Sequence, residues 1–288
     1  MASTASVESI YLIEVHDFKK IANQPDVKII DFCRKGSNVK GPIEGALHIW
    51  KLYIESPEYP YGGMMASLSQ IETLMSNLGI QNGDMLVIYD DDGLYDAARF
   101  WWLLQNYDFK NGKLLYGGMT AWGKNGSASS TEITSDNRSA FKFTKTPSMG
   151  MYISKSDISK LIATGTTILG TRTFDEYTGN VQKKGAAKAG RIPESIHLDW
   201  AENVNYDGDR KFKSLEKLKL IYKKASLGKH EPILVNCHCG VRSAHPTFLL
   251  TQLLGYQEGE NYDGSWTEWS HFDKLNFVHY SIKTIIHG

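Results

Sequence analysis

The sequence predicts an α/β protein built from two tandem copies of one domain, each a parallel sheet flanked by helices on both faces. Three observations carry that expectation. Short β-rich runs alternate with helical patterns, the two halves of the chain repeat one another in order, and 288 residues suffice for about two domains.

"VKIIDFCRKG" from Val27 matches "TTILGTRTFD" from Thr166, and "GPIEGALHI" from Gly41 matches "GRIPESIHL" from Gly190. Downstream the register is constant. Ser67-Leu68 falls on Ser214-Leu215, Leu86-Val87-Ile88 on Ile233-Leu234-Val235, Gly93 on Gly240 and Trp122 on Trp269, always 147 residues later. Several blocks in one order are the mark of a duplicated domain. In the first copy Lys28–Asp31, Met85–Tyr89 and Lys113–Tyr116 read as buried strands. Asp96–Asn106 reads as a helix with Ala97, Phe100, Trp101 and Leu104 along its apolar face. In the second copy Ile233–Asn236 reads as a strand, with a helix beginning near Ser243 or Ala244. The Ser/Thr-rich stretch from Asn125 to Phe141 is aperiodic and reads as a connection. The expected division is 1–140 for the first domain, 141–150 for a linker and 151–288 for the second.

Composition excludes several classes of partner. A net charge of zero leaves no electrostatic footprint for nucleic acid or an anionic membrane. No apolar run approaches the roughly 18 residues of a membrane span, and "MASTASVESIYLIEVHDFKK" lacks the basic start and apolar core of a signal peptide. Three cysteines make no disulfide framework and suit a reducing compartment. The expectation is a cytoplasmic monomer with free thiols.

Two of those cysteines stand in "VNCHCGVRS", Val235–Ser243, where the strand runs straight into Cys237. A loop between a parallel strand and a helix start turns its backbone N–H groups inward and favours an anion. Cys237 at the base of such a nest is expected to react as thiolate. Gly240 suits a positive φ, and Arg242 adds a fixed cation. Two other chemistries fit poorly. A phosphatase loop needs an arginine where Ser243 follows Cys237, or where His245 follows Cys239. Zinc on Cys237, His238, Cys239 and His245 would crowd adjacent ligands around one ion.

"CHCGVR" followed by "YDGSWTEW" from Tyr262 resembles the active loop and C-terminal signature of two-domain rhodaneses, the thiosulfate and mercaptopyruvate sulfurtransferases. "GRIPESIHLDW" from Gly190, "TFDEYTG" from Thr173 and "YGGMTAW" from Tyr116 are similar to further family segments, so the resemblance spans nearly the whole chain. It implies a catalytic second domain, with Cys237 as nucleophile and His238, Cys239, Gly240, Val241, Arg242 and Arg172 around the substrate. It also implies ping-pong transfer: Cys237 takes the sulfane sulfur of a small anionic donor, and a thiol or cyanide removes it from the persulfide. No metal or organic cofactor is implied.

The repeat register agrees. It places Asp90 on Cys237, so the first-half loop "DDDG" has no nucleophile and is expected to be vestigial and solvated rather than a Ca²⁺ loop. Cys33, whose "CRKGS" mimics an active loop, aligns with the Thr171-Arg172 turn and is set aside. For the donor, a His238 charged below about pH 6.5 would favour thiosulfate. Glu176, where the resemblance expects a carboxylate-binding arginine, weighs against mercaptopyruvate. Gly170 replaces the usual acid of that turn. A non-catalytic sulfur-carrying module remains the alternative of another class. Cys239 is open between a sulfur relay, a reversible disulfide partner and a spectator. Trp101, Trp102, Trp122, Trp266 and Trp269 are expected in the core, and His48 and His197, at equivalent places, in structural roles.

Overall fold

The structure, a computed structural model, describes residues 8–33, 41–123, 138–225 and 227–272. These form two five-stranded parallel sheets. The first contains β1 (Leu12–Ile13), β2 (Val27–Asp31), β3 (Leu47–His48), β4 (Met85–Tyr89) and β5 (Gly112–Leu115), in the order β1-β5-β4-β2-β3. The second contains β6 (Tyr152–Ile153), β7 (Thr167–Gly170), β8 (Ile196–His197), β9 (Ile233–Asn236) and β10 (Gly259–Tyr262), in the order β6-β10-β9-β7-β8. The duplicated sequence has become a duplicated topology.

Helices cover both faces: α1 (Val15–Ile21), α2 (Leu68–Asn77), α3 (Tyr95–Asn106) and α4 (Gly118–Gly123) in the first domain. The second has α5 (Lys155–Ala163), α6 (Phe174–Thr178), α7 (Leu215–Lys224), α8 (Val241–Phe248) and α9 (Ser265–Trp269). Local sequence explains the starts. Ser67 accepts from the Gln70 N–H while Gln70 accepts from the Ser67 N–H, and its repeat partner Ser214 caps α7 through Lys217. Strand β4 alternates between two apolar layers. Val87 and Tyr89 meet Phe18 and Trp122, while Leu86 and Ile88 meet Phe100 and Trp101. Helix α8 begins at Val241, earlier than expected, because Gly240 at φ 73° turns the loop directly into the helix.

The two domains share one core. Helices α3 and α8 pack against each other, with Trp101 edge-on to Phe248 at 4.8 Å. Tyr95 meets Trp200 at 4.8 Å and Tyr116 meets Phe212 at 5.7 Å across the same interface. All five tryptophans expected inside are buried. The end of the connecting stretch is also an anchor: Phe141 is buried between Phe109 and Phe143, and Lys142 pairs with Glu72 at 2.6 Å. Asn125–Asn137 and the basic loop after Cys33 lie outside the described residues. Among the described residues no helix is long and apolar enough to cross a membrane.

Candidate active site

Strand β9 ends with its last residue pinned. Asn236 donates from Nδ2 to Leu169 O at 3.1 Å, and its carbonyl accepts from the N–H and hydroxyl of Thr171. The next residue, Cys237, has no exposed surface. Its N–H donates to Ser265 Oγ at 3.1 Å, and Ser243 Oγ lies 3.3 Å from its Sγ. Burial opposes ionisation of this thiol, but the Arg242 charge, the Ser243 hydroxyl and the N–H groups of Ser243 and Cys239 outweigh it and lower the pKa. Cys239 is the opposite case. Burial and then the neighbouring Cys237 push its thiol up to about 11. Only one member of the pair has an environment that lowers its thiol pKa.

The first domain shows what the loop holds. Asp90, at the position of Cys237, is 1% exposed and corrects the expectation of a solvated loop. Its Oδ1 accepts from the N–H groups of Asp92 and Leu94, and its Oδ2 from those of Asp96 and Ala97, at 2.8 to 3.1 Å. Burial raises this carboxyl to about 6 against the pull of those amides. The carboxylate thus fills its own nest. In the second domain the repeat register places the N–H groups of Cys239, Val241, Ser243 and Ala244 at the corresponding positions, and those of Cys239 and Ser243 act on the Cys237 sulfur. Among the described residues no group of His, Cys, Asp and Glu is placed to hold a metal ion.

The cations are arranged otherwise than expected. His238 is not a charge source: burial lowers it to about 4, and its Nε2 lies 3.0 Å from Lys184 O. It is neutral across the range in which it was expected to titrate. Arg242 gives Nη2 to Glu176 Oε2 at 2.6 Å, and Lys183 approaches Glu176 Oε1 at 3.5 Å. Glu176 therefore occupies part of the fork expected to meet substrate. Arg172 is 2% exposed and donates to the carbonyls of Glu176 and Gly190, with its guanidinium 4.8 Å from the Trp266 ring centroid. Its Nη groups brace the turn, and its charge still acts on Cys237.

The first domain closes over the loop. A side chain at Gly63 would start 2.5 Å from Cys239 Cβ, so that glycine permits the close approach. Arg99, on α3, is 2% exposed and donates to Gly63 O at 2.8 Å, Asp263 Oδ1 at 2.5 Å and Gly240 O at 3.3 Å. Tyr61 and Tyr262 both donate to the buried Glu268, at 2.7 and 2.8 Å. The contact is reciprocal: Gly93 of the first loop packs on Val204 and Tyr206, and Asp92 pairs with Arg210 at 3.2 Å. Val241 is buried at the start of α8.

Smaller features fall into place. In the first domain Asp31 lies 3.6 Å from His48 and accepts from the Cys33 N–H. In the second the place left by Gly170 is filled by the Tyr177 ring, 3.0 Å from where a Cβ would stand, and His197 Nε2 lies 2.8 Å from Arg172 O. Cys33 is buried, at 4% exposed. Sequence reasoning missed Ser243 and Ser265 as partners of the nucleophile, and Asn261 as the partner of Ser243. For Ser243 a signal existed, since it follows Cys237 within the same motif; β10 offered none.

Comparison with known proteins gives the family. A model of the rhodanese-like domain matches twice, at residues 14–125 and 154–272. The chain is 33% identical over 212 residues to the sulfur carrier protein TtuD of Thermus thermophilus, covering 70% of this chain and 74% of that one. It is 30% identical over 236 residues to a Mycolicibacterium smegmatis protein named "Putative thiosulfate sulfurtransferase", covering 80% and 83%. Among solved structures, the Escherichia coli 3-mercaptopyruvate sulfurtransferase SseA superposes with a TM-score of 0.74 at 21% identity, over 89% of this chain and 98% of that one. Tum1 of Saccharomyces cerevisiae gives 0.79 at 19% identity, over 93% and 97%. With its two matched copies of the domain on two sheets of one topology, the chain belongs to the rhodanese-like family.

Proposed function

We propose that the protein is a sulfurtransferase that moves a sulfane sulfur from thiosulfate to a thiophilic acceptor through a persulfide on Cys237. One observation carries the reading: the Cys237 thiol has its pKa lowered by Arg242, Ser243 and loop amides, at the position where the first domain's loop amides hold a carboxylate. The thiolate attacks the outer sulfur of thiosulfate, the S–S bond breaks, and sulfite leaves with the electron pair. Cyanide or a thiolate then attacks the outer sulfur of the persulfide, and Cys237 leaves as thiolate. The loop amides serve the anionic sulfur in both steps. The nearby cations are Arg242, shared with Glu176, and the buried Arg172, and they favour an anionic donor. Because Cys237 has no exposed surface, entry of the donor requires its cover to move, and the segment around Gly63 of the first domain lies against this loop. The first domain, with Asp90 in its nest, is read as non-catalytic.

3-Mercaptopyruvate is the second donor to consider, because half-exposed Lys183 beside Glu176 is available for a carboxylate. Thiosulfate and mercaptopyruvate assayed in parallel, with cyanide as acceptor, separate the two. Absence of both thiocyanate and a persulfide in the intact mass would sink the enzyme reading in favour of a binding module. Cys237→Ser is expected to abolish turnover, while Cys239→Ser leaves persulfide formation intact. The reverse pattern would overturn the assignment.

A further inference from the structure

Charge and amides are not the only partners of the Cys237 sulfur. Ser243 Oγ lies 3.3 Å from that sulfur and 2.6 Å from Asn261 Oδ1. A hydroxyl has one hydrogen to give. Asn261 is held in a single orientation, because its Nδ2 donates to Gly240 O at 2.8 Å, so its Oδ1 faces Ser243 as an acceptor. Both residues have no exposed surface. The Gly240 carbonyl that orients Asn261 is also held by Arg99 of the other domain at 3.3 Å.

The duplicated half is an internal control. Where the second domain has Cys237, Ser243 and Asn261, the first has Asp90, Asp96 and Leu114. The last match follows from equivalent sheet register, with Leu114 beside Ile88 and Asn261 beside Val235. The hydroxyl–amide pair therefore accompanies the cysteine and is absent where a carboxylate fills the nest.

We propose that Ser243 is a positioning residue whose hydroxyl switches between Asn261 Oδ1 and the Cys237 sulfur with the ionisation of the thiol. With Cys237 protonated, S–H donates to Ser243 Oγ while the hydroxyl donates to Asn261. When the thiol proton leaves to solvent, the hydroxyl rotates and donates to the thiolate. No proton passes from Ser243 itself. The inference rests on Cys237 as the reactive thiol and adds the group that stabilises its ionised form from the helix side.

The test reads the pH dependence of alkylation of Cys237 by iodoacetamide in the full chain, mapped to the residue by fragment mass. Ser243→Ala is expected to slow alkylation at neutral pH about tenfold and to raise its midpoint by about one pH unit. Asn261→Ala leaves the hydroxyl no partner but the sulfur, and the midpoint does not rise. Thermal unfolding of both variants registers any purely structural loss. An unchanged midpoint in Ser243→Ala, or an equal rise in Asn261→Ala, overturns the proposal. A wild type that forms no persulfide with thiosulfate but shows these shifts would reject only the sulfur-transfer reading.

Discussion

Replacing Arg99 with Met tests how strongly the first domain holds the candidate site. The substitution removes a buried cation with three acceptors: Asp263 Oδ1, Gly63 O and Gly240 O. It keeps much of the aliphatic volume against Trp102, over which the guanidinium stacks at 4.3 Å. What remains is a carboxylate on Asp263 that is 1% exposed, with the Met65 N–H at 2.9 Å as its charge-facing donor. Breaking a buried pair from one side costs about 3–5 kcal/mol, because the other charge stays unpaired. For a chain of this size that corresponds to a fall in Tm of roughly 10 °C. The assay is denaturant unfolding of Arg99→Met, Asp263→Asn and the double variant. The double variant is expected to be more stable than Arg99→Met alone, with a coupling energy above about 1 kcal/mol. A single variant within about 1 kcal/mol of wild type, or additive losses, would refute the idea of a charged clamp between the domains.

Two further outcomes follow from the same geometry. Gly240→Ala places a side chain on a residue at φ 73° and a Cβ 2.2 Å from Asp263 O, so it is expected to cost at least about 2 kcal/mol and to disable sulfur transfer; a fully active, stable variant would contradict the loop geometry. His245 is fully buried between Trp200 and Phe212, and burial lowers it to about 3. The unfolded residue takes up a proton below about pH 6.5 and the folded one does not, so its contribution to stability is lost as pH falls through that window. His245→Phe should flatten the dependence of unfolding free energy on pH between 4 and 6 by about 1.4 kcal/mol per pH unit; identical slopes would count against it.

Much of the fold was legible because its signals are local or repeated. The strand at Met85–Tyr89 and the helix over Asp96–Asn106 follow from periodicity, and capping by Ser67 and Ser214 from residue type. The site was half legible. Cys237 and Gly240 announce themselves through the strand–loop–helix pattern, but His238 misled. A histidine beside a cysteine reads as a titratable charge until burial against the Lys184 carbonyl removes it. Glu176 was visible as an acid in an unexpected place; that it pairs with Arg242 was not, since the two are 66 residues apart.

By itself the sequence determined the duplication, the parallel α/β architecture and which half carries the thiol. These depend on repeats, on alternation of apolar residues, and on Asp90 standing in one copy where Cys237 stands in the other. Only the tertiary structure decided the environment of that thiol. Arg99 reaches Gly240 across 141 residues, and Asn261 meets Ser243 from another strand. Burial opposes ionisation of both neighbouring thiols, and the Arg242 charge, the Ser243 hydroxyl and the loop amides offset it at Cys237. Ionisation depends on the atoms within a few ångströms and the water excluded from them, and those neighbours come from both domains of the fold.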